Sequence, residues 1–163
     1  MTDRTLMTKW RILLWIAGVA LMPAAQSALS AQLQTFQRNE VVIETPSGPH
    51  EIAVEVAASP DQRAQGLMFR RQLGKDEGML FLYPSERVAT MWMKNTLIPL
   101  DMLFIDAGGH VVHIAERAVP QSTMTISSEK PVRAVLELNG GTAARLGIEA
   151  GAVVRLPAAA AQN

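Results

Sequence analysis

Beyond residue 40 the chain is a succession of short apolar runs punctuated by turn residues, a pattern of β-strands. Residues 41–45 read as a strand, and Thr45-Pro46-Ser47-Gly48-Pro49 as a turn. Over residues 50–57, Ile52, Val54 and Val56 alternate with Glu51, Ala53 and Glu55. This strand therefore buries one face and pairs with the first as a hairpin. Ser59-Pro60-Asp61 marks a helix start: serine caps, proline suits the first helical position, and an early acid answers the helix dipole. The helix is expected over residues 60–68, with Ala64, Leu67 and Met68 as its apolar positions and Gly66 near its end. A polar loop follows at 72–78.

Four apolar runs come next, at 79–83, 88–93, 100–105 and 111–115. The last two are joined by Asp106-Ala107-Gly108-Gly109-His110, a hairpin turn in which Asp106 can bond its own backbone. A longer loop at 119–129 precedes a strand at 131–138, a short helix at 142–146 closed by Gly147, and a last strand at 152–156. The expected fold is mainly β, a β-rich α+β domain: one compact antiparallel barrel or sandwich of about eight short strands with two short helices. Strand–helix–strand alternation is not visible, so a parallel sheet is not expected.

The first 31 residues break this pattern. Arg4, Lys9 and Arg11 form a basic start, residues 12–21 are uncharged and apolar, and Met22-Pro23 leads into small residues including Ala24, Ala25, Ser27, Ala28, Ser30 and Ala31. That is the layout of a secretory signal peptide, cleaved near 27–31, and the apolar stretch is short of the ~20 residues of a membrane-spanning helix. The expected organisation is a signal peptide at 1–31, a flexible lead-in at 32–40, one globular domain at 41–156 and a disordered tail at 157–163. The expected location is periplasmic or extracellular. The chain has no cysteine, which excludes a lipoprotein anchor, disulfides and a thiol nucleophile.

Of the 163 residues, 15 are Lys or Arg and 15 are Asp or Glu. Residues 1–31 hold three of the bases (Arg4, Lys9, Arg11) and one of the acids (Asp3), leaving the remainder with two more acids than bases. No basic stripe is present, so neither nucleic acid nor, after cleavage, a membrane is an expected partner.

Several segments then point to one family: GLMFR at 66–70, GMLF at 78–81, MWMKNTLIPLDMLFID at 91–106, VLEL at 135–138 and RLGI at 145–148. In this order they resemble the family catalogued as domain of unknown function 192, over roughly residues 41–156. The resemblance implies a small, compact, β-rich domain of a kind found exported in bacteria and also in archaea. It carries over no substrate, cofactor or catalytic residue. The chain departs from the family pattern near its C-terminus, with Asn139-Gly140-Gly141 before Thr142 and Gly151-Ala152 in place of a Gly-Asp pair.

The run at 91–106 also holds the candidate chemistry. Strand parity puts Met91, Met93 and Asn95 on one face and Thr90, Trp92 and Lys94 on the other. Lys94 and Asp101 are placed to form an ion pair across the hairpin mouth, with Arg70 and Glu137 able to join from neighbouring elements. An indole beside paired donors and acceptors suits a sugar, a peptide or a small polar metabolite. The same residues could instead only reinforce the hairpin. The favoured reading is a non-enzymatic binding or accessory module without a cofactor, whose ligand site is Trp92, Lys94, Asn95, Asp101, Arg70 and Glu137. The alternatives are an enzyme using Lys94 and Asp101 as acid and base, a protein-interaction module offering a sheet edge, and copper binding. Met91 and Met93 on one face could offer thioethers to Cu(I), although methionine is as readily core packing. His110 and His113 point to opposite strand faces, which argues against zinc.

Overall fold

The structure is a computed structural model and describes residues 33–157. The expected signal peptide at 1–31 and all of the expected tail but Pro157 lie outside the described residues. In chain order the elements are β1 (Gln37–Thr45), β2 (Gly48–Ala57), α1 (Pro60–Gln65), β3 (Glu77–Met91), β4 (Leu100–Ile105), β5 (Val111–Ala118), β6 (Ile126–Asn139), α2 (Thr142–Leu146) and β7 (Val154–Arg155). The strands form one seven-stranded sheet in the order β5-β4-β6-β3-β2-β1-β7.

The sheet curls until its ends touch. His110, just before β5, bridges Val153, just before β7. The Val111 N–H donates to the Ala152 carbonyl at 2.9 Å, and the Val154 N–H donates to the Gly109 carbonyl at 2.8 Å. Gly109 has φ +83°, and a Cβ there would lie 2.7 Å from the Val154 carbonyl oxygen, so glycine permits this contact. The outcome is a curled single sheet rather than a two-sheet sandwich.

The alternation of side chains builds two cores on the two faces. Leu80, Leu103, Ile105, Ala134, Leu136 and Leu138 pack on one face with Ala143 and Leu146 of α2. Met79, Phe81, Tyr83, Met102, Phe104 and Val135 pack on the other with Leu67, Met91 and Met93. Every residue of β4 is buried, because the strand is flanked by β5 and β6 and both its faces are covered.

Three expectations are corrected. The runs at 79–83 and 88–93 are not two strands. Residues 79–83 and 88–91 both belong to β3, interrupted by register irregularities between Leu82 and Arg87 and between Val88 and Thr90, while β6 pairs on both sides of the interruption and Trp92 and Met93 lie beyond the strand. Pro84 sits in that irregular stretch, where a strand tolerates a residue that cannot donate to the ladder. β2 and β3 pair in parallel. The crossover between them contains α1, whose six residues include none that is buried, so it left no apolar signature of a strand–helix–strand unit. β1 begins at Gln37, inside the stretch read as a flexible lead-in, because residues 37–40 pair with Ala53–Val56 of β2.

Other local readings hold. Ser59 caps α1 through a capping box with Gln62. The Asp106 side chain accepts from the His110 N–H at 2.8 Å, closing the expected turn.

Candidate functional site

A cleft of about 370 Å³ opens between α1 with its C-terminal turn, the irregular part of β3 and the segment after β3. Gly66 helps admit it: φ is +50°, and a Cβ would lie 3.0 Å from the Phe81 ring. Glu137, 4% exposed, forms part of the lining. By strand parity Glu137 shares the face of Val135, and its backbone register sets it between Met79 of β3 and Met102 of β4. No described residue hydrogen-bonds or ion-pairs with its carboxylate. Burial without a cation pushes that carboxyl up from 4.5 to about 8, so it is largely protonated at neutral pH.

Tyr83 is the second buried polar group of the cleft, 7% exposed. Its hydroxyl donates to the Met91 sulfur at 3.6 Å. Two guanidiniums lie against the ring, with Arg63 at 5.4 Å and Arg87 at 5.6 Å from its centroid. Burial raises the phenol pKa, Arg63 and Arg87 pull it back, and Glu137 adds a smaller upward push. Arg63 is fixed by donating to the backbone carbonyls of Ala58 and Leu82, the latter at 2.9 Å. Neither arginine has an ion-pair partner among the described residues.

Trp92 lines the cleft and is 47% exposed. It is therefore not sealed in a core, unlike Met91 and Met93 beside it. Lys94 Nζ sits 5.2 Å from the Trp92 ring centroid. Three loops support this rim. The Phe69 N–H donates to the Asn95 carbonyl at 2.8 Å, the Gln121 N–H to the Thr96 carbonyl at 3.0 Å, and the Met93 N–H to the Ser122 carbonyl at 3.0 Å. Each of these loops holds a non-glycine residue at positive φ: Phe69 at 65°, Asn95 at 57° and Gln121 at 62°. Asparagine takes that conformation readily; phenylalanine does so only under constraint.

The expected Lys94–Asp101 ion pair does not form. Asp101 is fully buried, and parity puts it on the sheet face opposite Met102 and Glu137. There its carboxylate accepts from the backbone N–H groups of Arg117 at 2.8 Å, Gly141 at 2.9 Å and Ala143 at 2.7 Å. Gly141, the N-cap residue of α2, offers no side chain, so Asp101 supplies the cap from β4. Arg70 also lies elsewhere. It pairs with Glu55 and stacks on Phe36 in a separate small pocket. Asn95 contributes a loop conformation and a weak contact from its amide to the Met68 sulfur at 3.8 Å. Met91 and Met93 are packed into the core, and the Met91 sulfur is already engaged by Tyr83.

The structure thus brings Trp92 and Glu137 to one cleft, with Lys94 on the Trp92 ring, and leaves Asp101 and Arg70 outside it. Sequence reasoning missed Tyr83, Arg63 and Arg87. One signal was available: Tyr83, the only tyrosine of the chain, follows Met79 and Phe81 at period two. The two arginines converge only through the parallel crossover, which the sequence did not reveal.

The model of the family described as DUF192, uncharacterized ACR, COG1430, matches residues 41–156. The chain belongs to this family. Among solved structures, it is similar to a Sinorhizobium meliloti 1021 protein provisionally described as a transcription regulator. That match has 47% identity and a TM-score of 0.73, covering 76% of this chain and 97% of the other. It is also similar to a protein of unknown function from Novosphingobium aromaticivorans DSM 12444, at 43% identity and TM-score 0.74, covering 76% of this chain and 89% of the other. No curated protein matches the chain.

Proposed function

We propose that this DUF192 member is an exported, non-enzymatic binding module that holds a small polar ligand in the cleft over Glu137. The observation that carries this reading is the bare Glu137 carboxyl. No described residue bonds it, its oxygens are open to the cleft rather than sealed, and buried polar groups are ordinarily satisfied by protein or by ordered water. A ligand in the cleft would satisfy this one. Trp92 and Tyr83 supply aromatic surface for a sugar ring or a peptide side chain, and the cleft volume suits a ligand of that size. Export rests on the basic, apolar and small-residue pattern of residues 1–31.

A transcription-regulator role, the description attached to the Sinorhizobium protein, would call for a cationic nucleic-acid face. The charge balance of this chain supports the small-ligand reading instead. A second reading draws on the raised pKa of Glu137. A protonated carboxyl in a cleft is suited to act as a general acid, and in an enzyme that role would fall to Glu137 rather than to Lys94 and Asp101.

Ligand-observed NMR with a panel of saccharides, short peptides and small organic acids tests the site. Binding of at least one class is expected, weakened by both Trp92→Ala and Glu137→Gln. Binding indifferent to both substitutions would remove the cleft from consideration. Chemical conversion of a bound panel member, lost in Glu137→Gln, would replace the binding module with the enzyme.

A further inference from the structure

Resting on that reading, we propose that the ligand is a small organic anion: its carboxylate or phosphoryl group is taken by Arg63 and Arg87 at the cleft mouth, and its uncharged part hydrogen-bonds Glu137. The ionisable groups lining the cleft besides Tyr83 are Arg63, Arg87 and Glu137, and no acidic side chain among the described residues pairs with either arginine. Glu137 does not neutralise them, because its own burial holds it protonated up to about pH 8. At neutral pH the empty cleft therefore presents two uncompensated guanidiniums and a neutral carboxyl.

The arginines are also placed rather than merely present. Both lie against one buried tyrosine ring, which restricts the planes of their guanidiniums. Arg63 is further anchored through one terminal nitrogen to two backbone carbonyls, leaving its other terminal nitrogen and Nε without a hydrogen-bond partner among the described residues. Arg87 makes no hydrogen bond to a described residue. A guanidinium has five N–H donors in a fixed fork, which matches the paired oxygens of a carboxylate or phosphate. Lys94, on the Trp92 ring, adds a third positive charge beside the mouth. A cationic ligand would meet repulsion from all three. A neutral ligand would leave the forks answered only by water. The Glu137 acid, deeper in the cleft, can both donate and accept, so it suits a hydroxyl or an amide at the far end of the ligand.

Calorimetric titration of the protein with matched probes decides the matter. One set is glucuronate, glucose 6-phosphate, glucose and glucosamine; the other is a short peptide with a free C-terminus and the same peptide amidated. The expected result is that the anionic members of at least one set bind about tenfold or more tighter than their neutral and cationic partners, the size of one charge-assisted hydrogen bond. Arg87→Gln should cancel that preference while lowering thermal stability only slightly, since Arg87 makes no hydrogen bond to a described residue and loses only its contact with the Tyr83 ring. Arg63→Gln also removes an anchor of α1, so Arg63→Lys is its companion: it keeps the charge, loses the fork and should weaken the anion severalfold. Equal or tighter binding of the neutral or cationic probes would overturn the anion proposal and leave the cleft reading standing. Failure of every probe in both sets, or binding that Trp92→Ala does not weaken, would overturn both.

Discussion

Replacing Glu137 with glutamine removes a titrating group from the middle of the sheet while nearly preserving its size. In the folded protein the carboxyl is raised from 4.5 to about 8 by burial. Between those values the folded chain holds a proton that the unfolded chain has released. Stability then falls as pH rises, by about 1.4 kcal/mol per pH unit for one proton. Across the whole interval the wild-type protein loses up to roughly 5 kcal/mol from this group, a large share of the ~5–15 kcal/mol of an ordinary domain. Below about pH 4.5 both states are protonated and the penalty vanishes; above about pH 8 it is constant. The amide introduced by Glu137→Gln does not titrate, so the advantage of the variant should widen steadily with pH. Urea unfolding of both proteins near pH 5, 6.5 and 8.5 measures this directly. Parallel stability curves, separated by a constant offset, would refute the reasoning and mean that Glu137 ionises at an ordinary pKa through water in the cleft.

Other perturbations separate structural residues from site residues. Asp101→Ala orphans the N–H groups of Arg117, Gly141 and Ala143. It should cost roughly 3–5 kcal/mol, and a loss under ~1 kcal/mol in thermal or urea unfolding would show that water replaces the carboxylate. Ser59→Ala breaks the capping box of α1 and should cost about 1 kcal/mol; because α1 carries Arg63, it should also weaken any ligand held by that arginine, as read by calorimetry. In a chain lacking residues 1–31, Trp92 is the only tryptophan. At 47% exposure its emission should be quenched by acrylamide, and blue, unquenched emission would contradict its place at the cleft rim.

Much of the fold was legible because it is written in alternation. Ile52, Val54 and Val56, the run at 100–105 and the turn at Asp106 each carried a local signal that tertiary structure did not override. What the sequence hid was non-local. β3 continues through Pro84-Ser85 because β6 pairs on both sides, and no property of residues 84–86 announces that partner. The parallel β2–β3 pair was hidden because a six-residue helix with no buried side chain lacks the periodicity that normally reveals a crossover. The site suffered accordingly. Trp92 was legible as a candidate from its run, though its exposure was not, and Arg63 and Arg87 meet over Tyr83 only through that crossover and that irregular strand.

Asp101 and Glu137 show how two buried acids on paired strands come to opposite ends. Met102 pairs with Glu137 and Asp101 with Leu138, so the two carboxyls stand one step out of phase and project from opposite faces of the sheet. The face of Asp101 carries α2 and the Arg117 irregularity of β5, whose free N–H groups saturate it. The face of Glu137 carries methionines, a tyrosine and the cleft, which offer it no donor. A one-residue difference in phase therefore decides which acid closes the fold and which is left for a ligand. From the sequence alone Asp101 looked the more chemical of the two, since it lies in the most distinctive run of the chain. Its hydrogen bonds are complete within the described residues, and the Glu137 carboxyl has none there. That difference in satisfaction, rather than the distinctiveness of the surrounding sequence, locates the candidate site.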